Sequence, residues 1–184
     1  MIEFLSAGKN SFDTPDPARP GKEQKMLSEN KFNPKILVLA TEACAYPGAD
    51  AVGKAHLEYG ANVYVFRVPS PVLFPEDFYL RCYAKGIDGI MIAACGSDCP
   101  YRGAYDRLAA RIDRLTTRMK SGGLEIQRIR LTAICTVCIK AYLKEIGQLD
   151  EQLRALGPVN QSVASQLQRM ARRQMRDALQ VHAA

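Results

Sequence analysis

Four short apolar runs, each followed by a stretch with helical periodicity, constrain this chain more than any other feature. The runs are KILVLAT (residues 35–41), NVYVFRV (62–68), DGIMIAAC (88–95) and IRLTAIC (129–135). Their apolar character is nearly continuous, as expected of strands buried on both faces. After the first comes AYPGADAVGKAHLEYG, where Ala49, Val52 and Leu57 form a helical stripe and Gly60 a stop. After the second, PEDFYLRCYAKG (75–86) has proline and acids at its start and glycine at its end, as helix termini prefer. Residues 101–120 carry Leu108, Ile112, Leu115 and Met119 three or four apart, and IKAYLKEIGQLDEQLRAL closes at Gly157 and Pro158. This alternation predicts an α/β fold: a doubly wound, four-stranded parallel sheet with helices on both faces. Right-handed crossovers then bring every strand's carboxyl end to one rim.

A chain of 184 residues, 47% of them hydrophobic, can bury one core of ordinary size. Residues 1–33 mix prolines, glycines and scattered charges without a period, and are read as an extended arm, disordered or ordered only against a partner. Residues 34–158 form the α/β domain. Residues 159–184 predict an amphipathic helix, with Val163, Leu167, Met170, Ala171 and Ala178 on one face and Arg169, Arg172, Arg173 and Arg176 mostly on the other. Those arginines account for much of the net charge of +6. Tryptophan is absent and no aromatic follows Tyr142, so the basic and aromatic interleaving of a nucleic-acid surface is missing. Glu3 and Lys9 interrupt what would have to be a signal core, and no run approaches the roughly 18 apolar residues of a membrane span. A cytoplasmic protein is expected.

In a reducing compartment, six cysteines are ligands, redox thiols or packing residues rather than structural disulfides. Cys44 follows the first run, Cys95 and Cys99 the third, and Cys135 and Cys138 bracket the end of the fourth. Five thiols thus map to the rim where open α/β sheets bind their ligands. Cys82, inside a helix, reads as a small core residue. Cys-x-x-Cys and Cys-x-x-x-Cys turns let two sulfurs reach one metal while turn amides donate to the sulfur charge. His56 lies in a helix and His182 in the tail, so an all-thiolate site is favoured over a mixed one.

Zinc and iron–sulfur clusters both accept four thiolates. A structural zinc normally staples a domain without a core of its own, which this one has, so a working cluster is expected. The alternatives are a zinc-thiolate scaffold and a dithiol oxidoreductase using CTVC, with a thiolate favoured by the helix starting near Cys138. The dithiol leaves Cys44, Cys95 and Cys99 unexplained. AYPGAD lacks the hydroxyl donors of a flavin-phosphate loop, Gly-x-x-x-x-Gly-Lys is absent, and no Ser/His/Asp arrangement is recognisable. Asp98 and Arg102 read as solvated loop residues beside the thiols.

From Lys35 to about Pro158 the chain resembles the delta subunit of methyl-viologen-reducing hydrogenases. The resemblance rests on TEACAYPGAD, FRVPSP, GIDGIMIAACGSDCPYRGAY and RALGP. It implies a flavodoxin-like fold and a non-catalytic electron-transfer subunit carrying one [2Fe-2S] cluster. The implied partners are a hydrogenase or formate dehydrogenase and a heterodisulfide-reductase-type flavoprotein. The family pattern has cysteines where this chain has Thr41 and, nearby, Ser70, its third-strand cysteines are one residue further apart, and it lacks CTVC. A [4Fe-4S] cluster is therefore the alternative, and zinc the lesser one. The expected ligands are Cys95, Cys99, Cys135 and Cys138, with Cys44 as substitute or neighbouring thiol.

Overall fold

The computed structural model describes residues 32–96 and 99–181. Most of the arm expected over residues 1–33, together with Asp98, lies outside them. The four apolar runs form β1 (Ile36–Thr41), β2 (Val63–Val68), β3 (Gly89–Ala94) and β4 (Ile129–Ala133). All pair parallel, in the order β2-β1-β3-β4. Every residue of β1 and β3 is buried, whereas β2 and β4, at the edges, are partly exposed. The expected four-stranded parallel sheet with helices on both faces is what forms.

Five helices follow: α1 (Ala45–Lys54), α2 (Glu76–Ala84), α3 (Ala104–Ser121), α4 (Ile139–Leu156) and α5 (Gln161–Val181). The two-residue period of a strand splits the core in two. Leu37, Leu39, Ile90 and Ile92 pack with residues of α2, α3 and α5, including Tyr79, Leu115 and Leu167. Ile36, Val38, Met91 and Ala93 pack with α1 and α4, including Val52, Ile146 and Leu149. Helix α4 has the expected limits. Helix α1 ends six residues before Gly60: Leu57, assigned to its apolar stripe, is 45% exposed, so nothing holds a further turn, and His56 adopts φ 52°. Helix α5 docks through Ala164, Leu167 and Ala171, with Arg169, Arg172, Arg173 and Arg176 exposed. Arg172 Nε reaches Asp77 of α2 at 2.9 Å.

The amino ends of the strands are tied together by buried polar groups. Asp88 accepts from the N–H groups of Lys35 and Val159, each at 2.9 Å. Asn62 Nδ2 donates to Pro34 O at 2.7 Å and to Asp150 Oδ1 at 2.9 Å. Arg128, fully buried, donates to Glu125 (2.8 Å) and to the carbonyls of Asp88 (3.2 Å), Gly157 (3.1 Å) and Pro158 (3.3 Å). Guanidinium geometry suits this task, since its fixed fork of donors serves several acceptors at once.

Candidate metal centre

The carboxyl ends of β1, β3 and β4 carry the thiols. Cys44 immediately precedes α1 and is buried, its N–H donating to Thr41 O at 3.2 Å. Cys95 is the first residue after β3 and is half-buried. Strand alternation puts Cys95 on the side of Met91 and Ala93, where it packs in the cluster that contains Cys44. The two form one sulfur pair, with Cα atoms 5.6 Å apart.

The second pair is Cys135 with Cys138, Cα atoms 5.3 Å apart. The CTVC stretch makes a tight turn in which Cys138 N–H donates to Cys135 O at 3.3 Å. Cys138 then starts α4, and its carbonyl accepts from Tyr142 N–H at 3.0 Å. Cys135 is exposed and Cys138 half-buried.

The pairs stand on neighbouring strand ends. Ala94 is in register with Ala133, and Ile134 N–H donates to Ala94 O at 3.0 Å. Adjacent strands run about 4.8 Å apart, so Cys95 stands beside Ile134, and Cys135 follows one residue later. Gly48, in the first turn of α1, holds the helix against CTVC: a Cβ there would lie 3.3 Å from Cys135 O. Among the described residues, no three of His, Cys, Asp and Glu group around a single ion position. The rim presents two cysteine pairs, Cys44 with Cys95 and Cys135 with Cys138, each within disulfide-bonding distance.

Cys99, expected to work with Cys95, joins neither pair. Gly96, just after β3, adopts φ 63°, and Cys99 lies beside Ala104, Tyr105 and Leu108 of α3. There it shares a cavity of about 10 Å³ with Thr41, Ser70, Cys95, Tyr105 and Leu108, room for about one water. Thr41 Oγ1 donates to Ala93 O at 3.0 Å. Cys82 is half-buried against the core below α2, as its helical position predicted, and burial pushes its thiol up to about 11.

The local field favours sulfur charge. Cys44 and Cys138 each sit at the amino terminus of a helix, where unpaired N–H groups and the helix dipole stabilise a thiolate. Neither helix has an acidic residue in its first turn, and nearby Glu42 is ion-paired with Arg67. Four cysteines on three neighbouring strand ends, two of them at helix amino termini, suit in kind and number a group taking two sulfurs on each of two metal atoms. The Cys44–Cys95 partnership had no signal in the spacing, because it depends on β1 and β3 being neighbours.

Tyr142, one turn into α4, is buried at 0% exposure with no hydrogen-bond partner for its hydroxyl among the described residues. Its ring packs edge-on to Tyr59 at 6.3 Å, and burial raises its phenol well above the ordinary range.

Over 129 residues the chain is 27% identical to the iron-sulfur subunit of an F420-non-reducing hydrogenase from Archaeoglobus profundus, covering 70% of this chain and 94% of that one. The vhc iron-sulfur subunit of the same kind of hydrogenase from Methanococcus voltae is 25% identical over 133 residues, covering 72% and 92%. One subunit of the ferredoxin/F(420)H(2)-dependent CoB-CoM heterodisulfide reductase of Methanosarcina acetivorans is 28% identical over 128 residues, 68% of this chain but 16% of that protein. Residues 36–157 match the methyl-viologen-reducing hydrogenase delta subunit family, and the chain belongs to that family.

Proposed function

We propose that the protein is an electron-transfer subunit with one iron–sulfur cluster, held by Cys44 and Cys95 on one side and Cys135 and Cys138 on the other. The observation that carries this reading is the presence of two cysteine pairs at the ends of β1, β3 and β4, Cα spacings 5.6 and 5.3 Å, each with a cysteine at a helix amino terminus. Two thiolates per iron is the ligand division of a [2Fe-2S] centre, and [4Fe-4S] is the alternative. Such a centre takes up one electron and gives it back, so the chain itself makes and breaks no substrate bond. The protein's contribution is to supply thiolates, donate amide hydrogen bonds to them and limit water through burial, which together set the potential.

The cluster relays electrons between a hydrogenase or formate dehydrogenase and a heterodisulfide-reductase-type flavoprotein, in the cytoplasm. Two relatives are hydrogenase iron-sulfur subunits, and another is a heterodisulfide reductase polypeptide of which this chain matches 16%. A module found as a separate chain in one case and within a longer chain in another supports a working contact between the two. Anaerobic purification with visible absorption, iron and acid-labile sulfide analysis tests the proposal. About two irons and two sulfides per chain are expected. The colour should be lost on Cys44→Ser, Cys95→Ser, Cys135→Ser or Cys138→Ser and kept on Cys82→Ser and Cys99→Ser. A colourless protein with stoichiometric zinc overturns it in favour of a scaffold.

The exposure of Cys135, next to Cys138 at the start of α4, supports a second reading, a dithiol oxidoreductase. A metal-free protein that exchanges disulfides, and loses that activity on Cys135→Ser, would select it.

A further inference from the structure

Of the six cysteines, four stand in facing pairs and two do not. Cys44 and Cys95 follow β1 and β3, which the sheet makes neighbours, and their Cα atoms are 5.6 Å apart. Cys135 and Cys138 close the CTVC turn at 5.3 Å. Both separations fall inside the window of roughly 4.4–6.8 Å that a disulfide bridges without backbone movement. Cys82, in α2, and Cys99, beside α3, have no such partner among the described residues.

The two pairs differ in access. Cys44 is 8% exposed and Cys95 half-buried, both packed in the core that α1 and α4 form with the sheet. Cys135 is exposed, and Cys138 stands at the start of α4. A thiol that opens a disulfide must reach one sulfur and expel the other as a thiolate. Attack at Cys135 expels Cys138, whose charge the N–H groups and dipole at the amino terminus of α4 stabilise. The Cys44–Cys95 pair offers no exposed residue to attack.

We propose that these four cysteines, when no metal holds them, form a reversible redox switch: they close as two disulfides, Cys44–Cys95 and Cys135–Cys138, and reopen in a fixed order, CTVC first. Each bridge forms as its pair gives two electrons and two protons to a small-molecule disulfide, which leaves as two thiols. A dithiol reopens CTVC by bonding to Cys135 and expelling Cys138. Its second thiol then displaces Cys135, and the reductant leaves as a cyclic disulfide. The pairing follows from the fold alone. Its consequence, that a cluster loads only once both bridges are open, rests on the iron–sulfur reading, whose ligand pairs are the same.

The test uses the full-length protein, stripped of metal by a chelator under a reducing agent, freed of both, and treated anaerobically with oxidised glutathione. N-ethylmaleimide then labels the remaining thiols, and tryptic peptides are mapped by mass spectrometry. Two labels per chain are expected, on Cys82 and Cys99, against six after full reduction. The peptides carrying Cys44 and Cys95 should be joined by a bridge that survives Cys99→Ser and is lost in Cys95→Ser. On adding dithiothreitol, Cys135–Cys138 should open at least about tenfold faster than Cys44–Cys95, and urea, which exposes both, should narrow the gap. Six labels, glutathione left on the four cysteines, a bridge to Cys99, or Cys44–Cys95 opening first overturns the proposal. A chain that forms both bridges yet never holds iron leaves the switch standing and removes the iron–sulfur reading. An iron-loaded chain whose stripped form keeps six thiols does the reverse.

Discussion

Replacing Arg128 by methionine should cost a large part of the fold's stability while leaving the cysteine rim intact. The side chain is 0% exposed and donates to Glu125 and to the carbonyls of Asp88, Gly157 and Pro158. The three carbonyl bonds, at 3.1–3.3 Å, are long, so each belongs near the weak end of charged hydrogen bonds, about 1.5 kcal/mol. Methionine fills much of the same volume and removes the desolvation cost of the guanidinium, which offsets part of the loss. The net expectation is about 3–5 kcal/mol, a sizeable share of the 5–15 kcal/mol typical of a domain. For a chain of this size that is roughly 6–20 °C in Tm. Urea unfolding by far-UV circular dichroism measures it, with m unchanged between wild type and variant. Arg128→Lys keeps the charge but not the fork, and should fall between the two. A loss below about 1 kcal/mol for Arg128→Met refutes the reasoning, because it would mean those carbonyls are satisfied without the guanidinium.

Gly48→Val should lower iron and sulfide content with little change in far-UV circular dichroism, since a Cβ at 3.3 Å from Cys135 O already crowds CTVC and two further methyls push α1 away from it. Full metal content in that variant would show that the α1–CTVC approach does not matter for the site. Glu125→Gln should destabilise at neutral pH, with the gap to wild type closing in acid. The Arg128 hydrogen bond holds the Glu125 carboxyl below its usual range, so its contribution is present above the ordinary value and is lost as pH falls through the lowered one. Urea midpoints between pH 7 and 3 check this. Because burial pushes the Cys82 thiol up to about 11, its alkylation by iodoacetamide in a variant lacking the other five cysteines should be slow at pH 8 and accelerate toward pH 11.

Much of the fold was legible because the strands are apolar on both faces, a pattern that leaves few architectures open. The limits of α4 could be read because Gly157, at φ 77°, stops it and Ile146, Leu149 and Leu153 carry a clear stripe. The early end of α1 could not, because an apolar residue at the right spacing, Leu57, looks the same in sequence whether or not anything packs on it. The placement of the site's cysteines at the carboxyl ends of strands followed from topology alone. Their partnerships did not: spacing suggests that Cys95 works with Cys99, whereas strand order makes Cys44 its neighbour and Cys99 joins neither pair. Nor does the sequence distinguish a buried arginine joining three carbonyls from a solvated one, since burial of Arg128 is decided by contacts with residues 29 and 30 positions away.

The Arg128 and Asp88 network binds the sheet at the end opposite the sulfurs. The polar network and the cysteine pairs thus occupy opposite ends of one small domain. Substitutions among the rim cysteines therefore leave untouched the hydrogen bonds that tie the strands' amino ends together.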